Sequence, residues 1–195
     1  PGGVRAVATT ATSLFVGTDS GLFLAPMRAG SLPGRFDYVP SAREPVSHLR
    51  AVGNDLLVAS ETRIRILPDG NPLAPGSSYV LDVGSRIETI YPSSLEQGVV
   101  WVGVGDGLVR LAFNSLIARW SVTGSMAIEG LRPDAMAEDA DGMLWAGLWP
   151  QGVARIAWSP AGASMETVRR FGQDDGLSAG MMQPVRAGDE LLVWG

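Results

Sequence analysis

One apolar pattern recurs through this chain about every 44 residues, and such a period constrains the fold more than any single motif does. Each copy is a strand core that ends on a small residue, and the copies fall at 14–17, 56–59, 100–103, 144–147 and 192–195. A second apolar run follows each of the earlier copies, beginning at Gly21, Arg63, Gly107 and Gly152. Two marks that repeat in step indicate a repeat architecture.

Each repeat divides into short apolar runs separated by turn signals, which is the spacing of strands. In the fourth copy we predict strands at 134–139, 143–148, 153–158 and 165–171, with a tight hairpin turn at Asp141-Gly142. Four antiparallel strands per repeat predict an all-β fold, a β-propeller of four-stranded antiparallel blades.

The repeats supply about four complete blades and the start of a fifth. We predict one propeller fragment over 1–195, with blades at 4–40, 46–84, 87–124 and 133–171 and a partial blade at 181–195. Because an open arc of blades exposes apolar faces and a strand edge, we expect the chain to be part of a larger propeller. The expected partners are the remaining blades of the same protein or a second copy of the chain.

Composition excludes several classes of function. The net charge of −5 disfavours a nucleic-acid partner, which requires clustered positive charge. The 15 basic residues are all arginine, so Schiff-base and P-loop lysine chemistry are excluded. The chain contains no cysteine, which removes thiolate catalysis and cysteine-ligated metals. We expect neither a metal nor a cofactor.

The fourth repeat resembles a known family. Its run Glu138-Asp-Ala-Asp-Gly-Met-Leu-Trp-Ala-Gly147, followed by Gly152-Val-Ala-Arg-Ile156, is similar to the two-component regulator propeller repeat. The third copy fits well and the first keeps Phe15-Val-Gly-Thr18 and Gly21-Leu22, whereas the second is degenerate, with Ala59-Ser60 for Gly-Thr and Arg63-Ile64 for Gly-Leu.

That resemblance implies a sensor. Such repeats usually form the extracytoplasmic input domain of a bacterial membrane signalling protein, so the expectation is a non-catalytic periplasmic domain that senses a small molecule, such as a carbohydrate, or a protein. The membrane connection would lie in a segment that is missing from this chain. Two alternatives stay open, a propeller hydrolase or lyase that acts on a carbohydrate and a protein-interaction scaffold without a signalling role.

In propellers, the loops between strands two and three and the connections between blades share one face, where pockets form. Trp149 is the most unusual residue there, because an aromatic platform suits a sugar ring, although packing on a neighbouring or missing blade is the favoured explanation. The arginines suit a planar anion but also fit solvated rim pairs with Glu61, Glu88 and Asp134. The candidate ligand-binding residues are Trp149, Arg132, Arg63, Arg86, Asp106 and Gln151.

Two sets of residues invite a catalytic interpretation. His48 is the only histidine in the sequence. A lone histidine on an inner strand is more often a hydrogen-bonded core or channel residue than a catalytic base. Glu138 and Asp139 are paired acids, but neighbouring strand residues point to opposite faces and the pair adjoins a turn. We therefore predict solvated turn acids there and no catalytic residue.

Overall fold

The computed structural model describes residues 2–28, 33–74, 80–105, 107–148, 152–159, 164–178, 180, 182–188 and 190–194, with backbone alone at 132–134 and 168. By its internal contacts the chain divides into two compact units, Pro1–Ile90 and Tyr91–Gly195. Nearly all of the described secondary structure is strand, and the exceptions are two 3-10 turns at Pro68–Gly70 and Gln173–Asp175. No helical segment in the described ranges is long and apolar enough to cross a membrane.

The first unit contains two four-stranded sheets whose strands are antiparallel and follow chain order. The first sheet, blade 1, consists of β1 (Val4–Thr9), β2 (Ser13–Thr18), β3 (Gly21–Pro26) and β4 (Asp37–Tyr38). The second sheet, blade 2, consists of β5 (His48–Val52), β6 (Asp55–Ser60), β7 (Arg63–Leu67) and β8 (Val80–Asp82).

The remaining sheets repeat this order. Blade 3 consists of β9 (Ile87–Pro92), which spans the division between the units, β10 (Val99–Val104), β11 (Gly107–Asn114) and β12 (Arg119–Ala127). Blade 4 consists of β13 (Leu131–Glu138), β14 (Leu144–Leu148), β15 (Val153–Ser159) and β16 (Ser164–Phe171). A hairpin of β17 (Gln183–Ala187) and β18 (Glu190–Trp194) follows. The predicted all-β class and the four-stranded antiparallel blades are therefore confirmed.

The turn predicted at Asp141-Gly142 shows why the repeat needs these residues. Gly142 has a φ of +80°, a left-handed conformation that favours glycine. The Asp139 N–H donates to the Met143 carbonyl at 3.0 Å, which closes the turn between β13 and β14. The sequence placed the boundaries less accurately, because β13 begins at Leu131 and contains a register shift between Arg132 and Met136.

The apolar run at 46–52 predicts the first strand of blade 2, and this prediction starts too early. The structure begins β5 at His48, two residues after the predicted start. The Val46 N–H donates to the Thr18 carbonyl of blade 1 at 2.9 Å, so Val46 belongs to the connection between the blades. The apolar character of this segment therefore reflects packing between sheets and not strand pairing.

Each unit has an apolar core in which two sheets take part. In the first unit, Phe15 and Leu22 of blade 1 cluster with Leu56 and Leu67 of blade 2. In the second unit, Trp101 and Leu108 of blade 3 form the corresponding cluster with side chains of blade 4, among them Leu144, Ala146 and Ile156. Packing of sheet on sheet is the burial that a single blade cannot provide alone.

Some apolar side chains stay exposed on the first and last strands. Val4 and Val7 of β1 are 66% and 53% exposed, and Leu192 and Trp194 of β18 are 49% and 65% exposed. Apolar side chains of this size on strands are suited to coverage by further protein. The expectation that other blades or a second copy cover them stays a prediction, as does the grouping of 1–195 into one propeller fragment.

Candidate functional site

Polar side chains that could act in catalysis or ligand binding form two groups in the first unit. One lies on and directly before the inner strands and contains His48, Arg50, Arg86 and Glu88, which we call the inner-strand cluster. The other lines a cavity of about 230 Å³ in the second blade, which we call the blade 2 cavity. Its lining residues are Ala42, Glu44, Val46, Val58, Ser60, Arg63, Arg65, Val80 and Asp82.

The inner-strand cluster is held by the backbone of β5 and β9. His48 is half-buried, its Nδ1 lies 3.1 Å from the Ser47 hydroxyl, and its imidazole also bonds to the backbone of Glu88. Arg50 donates from Nε to the Ile90 carbonyl at 3.1 Å and from Nη1 to its neighbour's carbonyl at 2.9 Å. These bonds fix the orientation of both side chains.

The electrostatics of this cluster favour a neutral imidazole. Burial lowers the pKa of His48 below its ordinary value and the Arg50 guanidinium lowers it further, while Glu88 acts in the opposite direction. A neutral imidazole can accept a proton, which a general base must do. Arg86 pairs with Glu88 at 3.5 Å, and the Arg86 side chain is 79% exposed, so its guanidinium is accessible to an anionic ligand.

The blade 2 cavity lies where the β6–β7 turn meets the connection from blade 1. Ser60 donates from its hydroxyl to Glu44 Oε2 at 2.8 Å. Arg63 lies 3.6 Å from Glu44 Oε1 and 3.9 Å from Asp82 Oδ2. Charges of both signs and a hydroxyl therefore face one small space.

Blade 4 shows a third group of polar residues, and it is structural. Glu138 is 3% exposed, and its carboxylate accepts bonds from the Trp101 indole at 2.8 Å, the Ser94 N–H at 2.7 Å, and the Ser93 and Ser94 hydroxyls at 3.0 Å. The prediction of a solvated turn acid is wrong for Glu138, because its partners lie on blade 3 and bury it. These four bonds occupy most of the acceptor capacity of the carboxylate.

Asp139 is bound as completely as its neighbour. Its carboxylate accepts bonds from Met143 N–H at 2.9 Å, from the Trp145 indole at 2.7 Å and from Arg155 Nε at 3.1 Å. Burial of the carboxyl opposes ionisation, but these hydrogen bonds outweigh burial and lower the pKa of Asp139. The acid pair of the repeat motif therefore builds the blade.

The structure describes only part of the predicted ligand-binding set. Arg63 lines the blade 2 cavity, whereas Arg86 precedes β9 and belongs to the inner-strand cluster, so the two arginines lie in different groups. Arg63 pairs with Glu44 and Asp82 and not with the predicted Glu61. Trp149, Asp106, Gln151 and the Arg132 side chain lie outside the described residues, and their roles stay predictions.

Sequence reasoning did not find Glu44, Ser60, Asp82 or Arg50. The signal for the cavity was present in the degenerate second repeat, where Ser60 and Arg63 replace the residues typical of the motif. Among the described residues, no group of three or more histidine, aspartate or glutamate side chains is placed to hold a metal ion.

No protein-family model and no curated protein sequence matches the chain. Solved structures match it by fold. One is the Pseudomonas aeruginosa periplasmic gluconolactonase, with a TM-score of 0.68 and 13% identity over 100% of this chain and 57% of that one. Another is a candidate 6-phosphogluconolactonase from Bacteroides uniformis, with a TM-score of 0.63 and 12% identity over 88% of this chain and 55% of that one.

These matches define the class of fold, the β-propeller. The chain spans about half the length of the structures that it matches. The sequence-based prediction that the chain is not an enzyme rested on the blade repeat, which is typical of a non-catalytic sensor. This finding corrects that prediction. The same fold occurs in proteins named as lactonases, and no matching family model supports the two-component regulator repeat.

Proposed function

We infer that this chain is part of a propeller hydrolase that acts on a carbohydrate lactone, with the inner-strand cluster as its catalytic centre. The observation that carries this proposal is a half-buried imidazole with a lowered pKa, set beside the Arg50 guanidinium and the Glu88 carboxylate, with Arg86 paired to Glu88. The lactonase names of two structures with this fold support the choice of substrate class.

The chemistry of lactone hydrolysis fits these residues. His48 removes a proton from water, and the resulting hydroxide attacks the lactone carbonyl carbon. Glu88 stabilises the imidazolium that forms, because its charge favours the protonated ring. Arg86 stabilises the negative oxygen of the tetrahedral intermediate. The ring C–O bond then breaks, His48 returns the proton to the leaving alkoxide, and the product is a hydroxy acid.

The test is hydrolysis of D-glucono-1,5-lactone by the full-length protein, measured against the spontaneous rate in a pH-stat, with the 6-phosphorylated lactone as the second substrate. We expect His48→Gln to lower kcat/KM on the better substrate by about 100-fold or more, which is the range of general-base catalysis. Glu88→Gln is expected to lower it less. Arg5→Ala is the matched control, because Arg5 is an exposed arginine of blade 1 paired with Asp19.

The pH profile separates a base from a structural histidine. Because the pKa of His48 is lowered, we expect kcat/KM to fall only as the pH drops through a value below the ordinary 6.5. Hydrolysis no faster than the spontaneous rate on both lactones would refute the proposal. So would a His48→Gln variant with the activity of the Arg5→Ala control.

We also infer an extracytoplasmic location, supported by the periplasmic designation of the Pseudomonas aeruginosa structure. Fractionation of cells that express the full-length protein tests it, and recovery in the cytoplasmic fraction would contradict it. The sensor role stays a prediction from the repeat resemblance. The described residues that carry that resemblance, such as Asp139, Trp145 and Gly152, build the blade and do not identify a ligand.

A further inference from the structure

The degenerate repeat of blade 2 coincides with the cavity. A glycine begins the third strand of blades 1 and 3 and directly precedes that of blade 4, and a Cβ built on Gly21, Gly107 or Gly152 would lie 2.6, 2.5 or 2.1 Å from a backbone carbonyl oxygen. Those oxygens belong to Ala42, Met126 and Phe171. The neighbouring backbone therefore closes directly onto the strand in these blades. In blade 2 the same position is Arg63, whose side chain needs space that the glycines do not.

The hydroxyl next to this position also changes its role. In blade 1, Thr18 donates to the Gly21 carbonyl at 3.0 Å and accepts from the Ser20 N–H at 3.0 Å, so its hydroxyl closes its own turn. Ser60 takes the equivalent place in blade 2, but its hydroxyl donates to Glu44 on the connection between the blades. Both departures from the repeat therefore place polar atoms at the same cavity.

The charges at the cavity are balanced, and the ion pairs of Arg63 are long. Two carboxylates and two guanidinium groups line it, which gives no net charge. Arg63 lies 3.6 and 3.9 Å from its two acidic neighbours, and both distances exceed the range of a hydrogen bond. A ligand placed between these groups can form shorter charged bonds than the protein forms alone.

The other walls of the cavity are aliphatic, formed by Ala42, Val46, Val58 and Val80. No described aromatic ring lines it, so the stacking platform that sugar rings favour is absent from its described walls. Its volume of about 230 Å³ lies below the roughly 300 Å³ at which sites for drug-sized ligands begin. The occupant is therefore small, aliphatic and charged.

We propose that the blade 2 cavity binds a small zwitterion with an aliphatic side chain, of the class of the branched-chain α-amino acids. Its carboxylate pairs with Arg63, its ammonium group lies between Glu44 and Asp82, and its side chain contacts Val58 and Val80. This site shares no residue with the inner-strand cluster. The proposal therefore goes beyond the lactonase activity, and the two proposals can be tested independently.

The test is calorimetric titration of the full-length protein at neutral pH with L-leucine and with two leucine analogues that each lack one of its charged groups. 4-Methylpentanoate lacks the ammonium group, and 3-methylbutylamine lacks the carboxylate. We expect leucine to bind at least tenfold more tightly than either analogue, because each analogue leaves one set of charges unmatched. Binding by 4-methylpentanoate as tight as that by leucine would overturn the proposal, as would no binding of leucine.

Variants locate the binding in the cavity. Arg63→Ala and Glu44→Gln are each expected to weaken leucine binding at least tenfold, whereas Arg5→Ala leaves it unchanged. Val80→Trp fills the cavity from the half-buried edge strand and is expected to abolish binding. Circular dichroism confirms that each variant folds. If folded Arg63→Ala and Val80→Trp bind leucine with unchanged affinity, the site is refuted. If the protein binds D-gluconate more tightly than leucine, the ligand is a polyhydroxy acid and the proposed ligand class is refuted.

Discussion

Acidic side chains are bonded differently in blade 4 and blade 2. In blade 4, the carboxylates of Glu138 and Asp139 accept bonds from indole, hydroxyl, guanidinium and backbone donors of the protein itself. In blade 2, Glu44 accepts from the Ser60 hydroxyl and Asp82 from the Gly84 N–H, but the two side chains stay 52% and 58% exposed and face Arg63 at distances too long for a hydrogen bond. Saturation by the protein's own donors distinguishes a structural acid from one that can accept a ligand.

The same comparison holds at a single repeat position. Gly152 of blade 4 is packed against the Phe171 carbonyl, whereas Arg63 of blade 2 borders the cavity. A repeat that keeps its glycine closes the blade, and a repeat that loses it leaves room beside the strand. We expect substitutions in blade 4 to change stability and those in blade 2 to change binding.

The largest effect is expected at Glu138. Glu138→Ala leaves the buried Trp101 indole without its acceptor, which costs about 1 to 3 kcal/mol, and it also removes the bonds from half-buried Ser93 and exposed Ser94. We expect the free energy of unfolding to fall by about 3 kcal/mol or more. Denaturant unfolding of the variant measures this loss. Glu138→Gln, which keeps one acceptor oxygen, is the control and is expected to lose less, and a loss in Glu138→Ala below about 1 kcal/mol would contradict the assignment.

The second effect is the closure at Gly152. Gly152→Ala places a Cβ 2.1 Å from the Phe171 carbonyl oxygen at a φ of +98°, so both crowding and backbone strain oppose it. We expect a loss of about 2 to 4 kcal/mol in the free energy of unfolding. Gly142→Ala isolates the backbone term, because Gly142 has a φ of +80° with open space around it, and is expected to lose only about 1 kcal/mol. Equal losses in the two variants would show that the close approach contributes nothing.

These two cases also show how far the sequence leads. The strands and turns of each blade were predictable, because apolar runs, Asp-Gly turns and repeated glycines record local backbone geometry. The burial of Glu138 was not, because its partners Ser93 and Trp101 lie on the preceding blade, distant in the sequence. The cavity was not predictable either, since it forms where Glu44, Ser60 and Asp82 meet, on three separate segments.

The third prediction concerns pH. Because hydrogen bonds lower the pKa of Asp139 below its ordinary value of 3.8, the unfolded chain binds a proton at this group more readily than the folded one. Asp139 therefore contributes stability in full above its unfolded pKa, and this contribution is lost as the pH falls through the folded pKa. Unfolding measured from pH 7 downward is expected to show a smaller acid-induced loss in Asp139→Asn than in the unmodified protein. Identical pH dependence would contradict the bonding of this carboxylate.

The smallest stability effect is expected at Arg63, and its smallness is informative. The Arg63 side chain is 56% exposed and forms only long ion pairs, and exposed pairs of this kind contribute about 0 to 1 kcal/mol. Arg63→Ala should therefore change the free energy of unfolding by less than about 1 kcal/mol, measured beside Gly152→Ala at the equivalent repeat position. A loss as large as that of Gly152→Ala would mean that Arg63 holds blade 2 together. A small loss of stability combined with weakened leucine binding would mean that Arg63 contributes to ligand binding at the cavity and not to the stability of the blade.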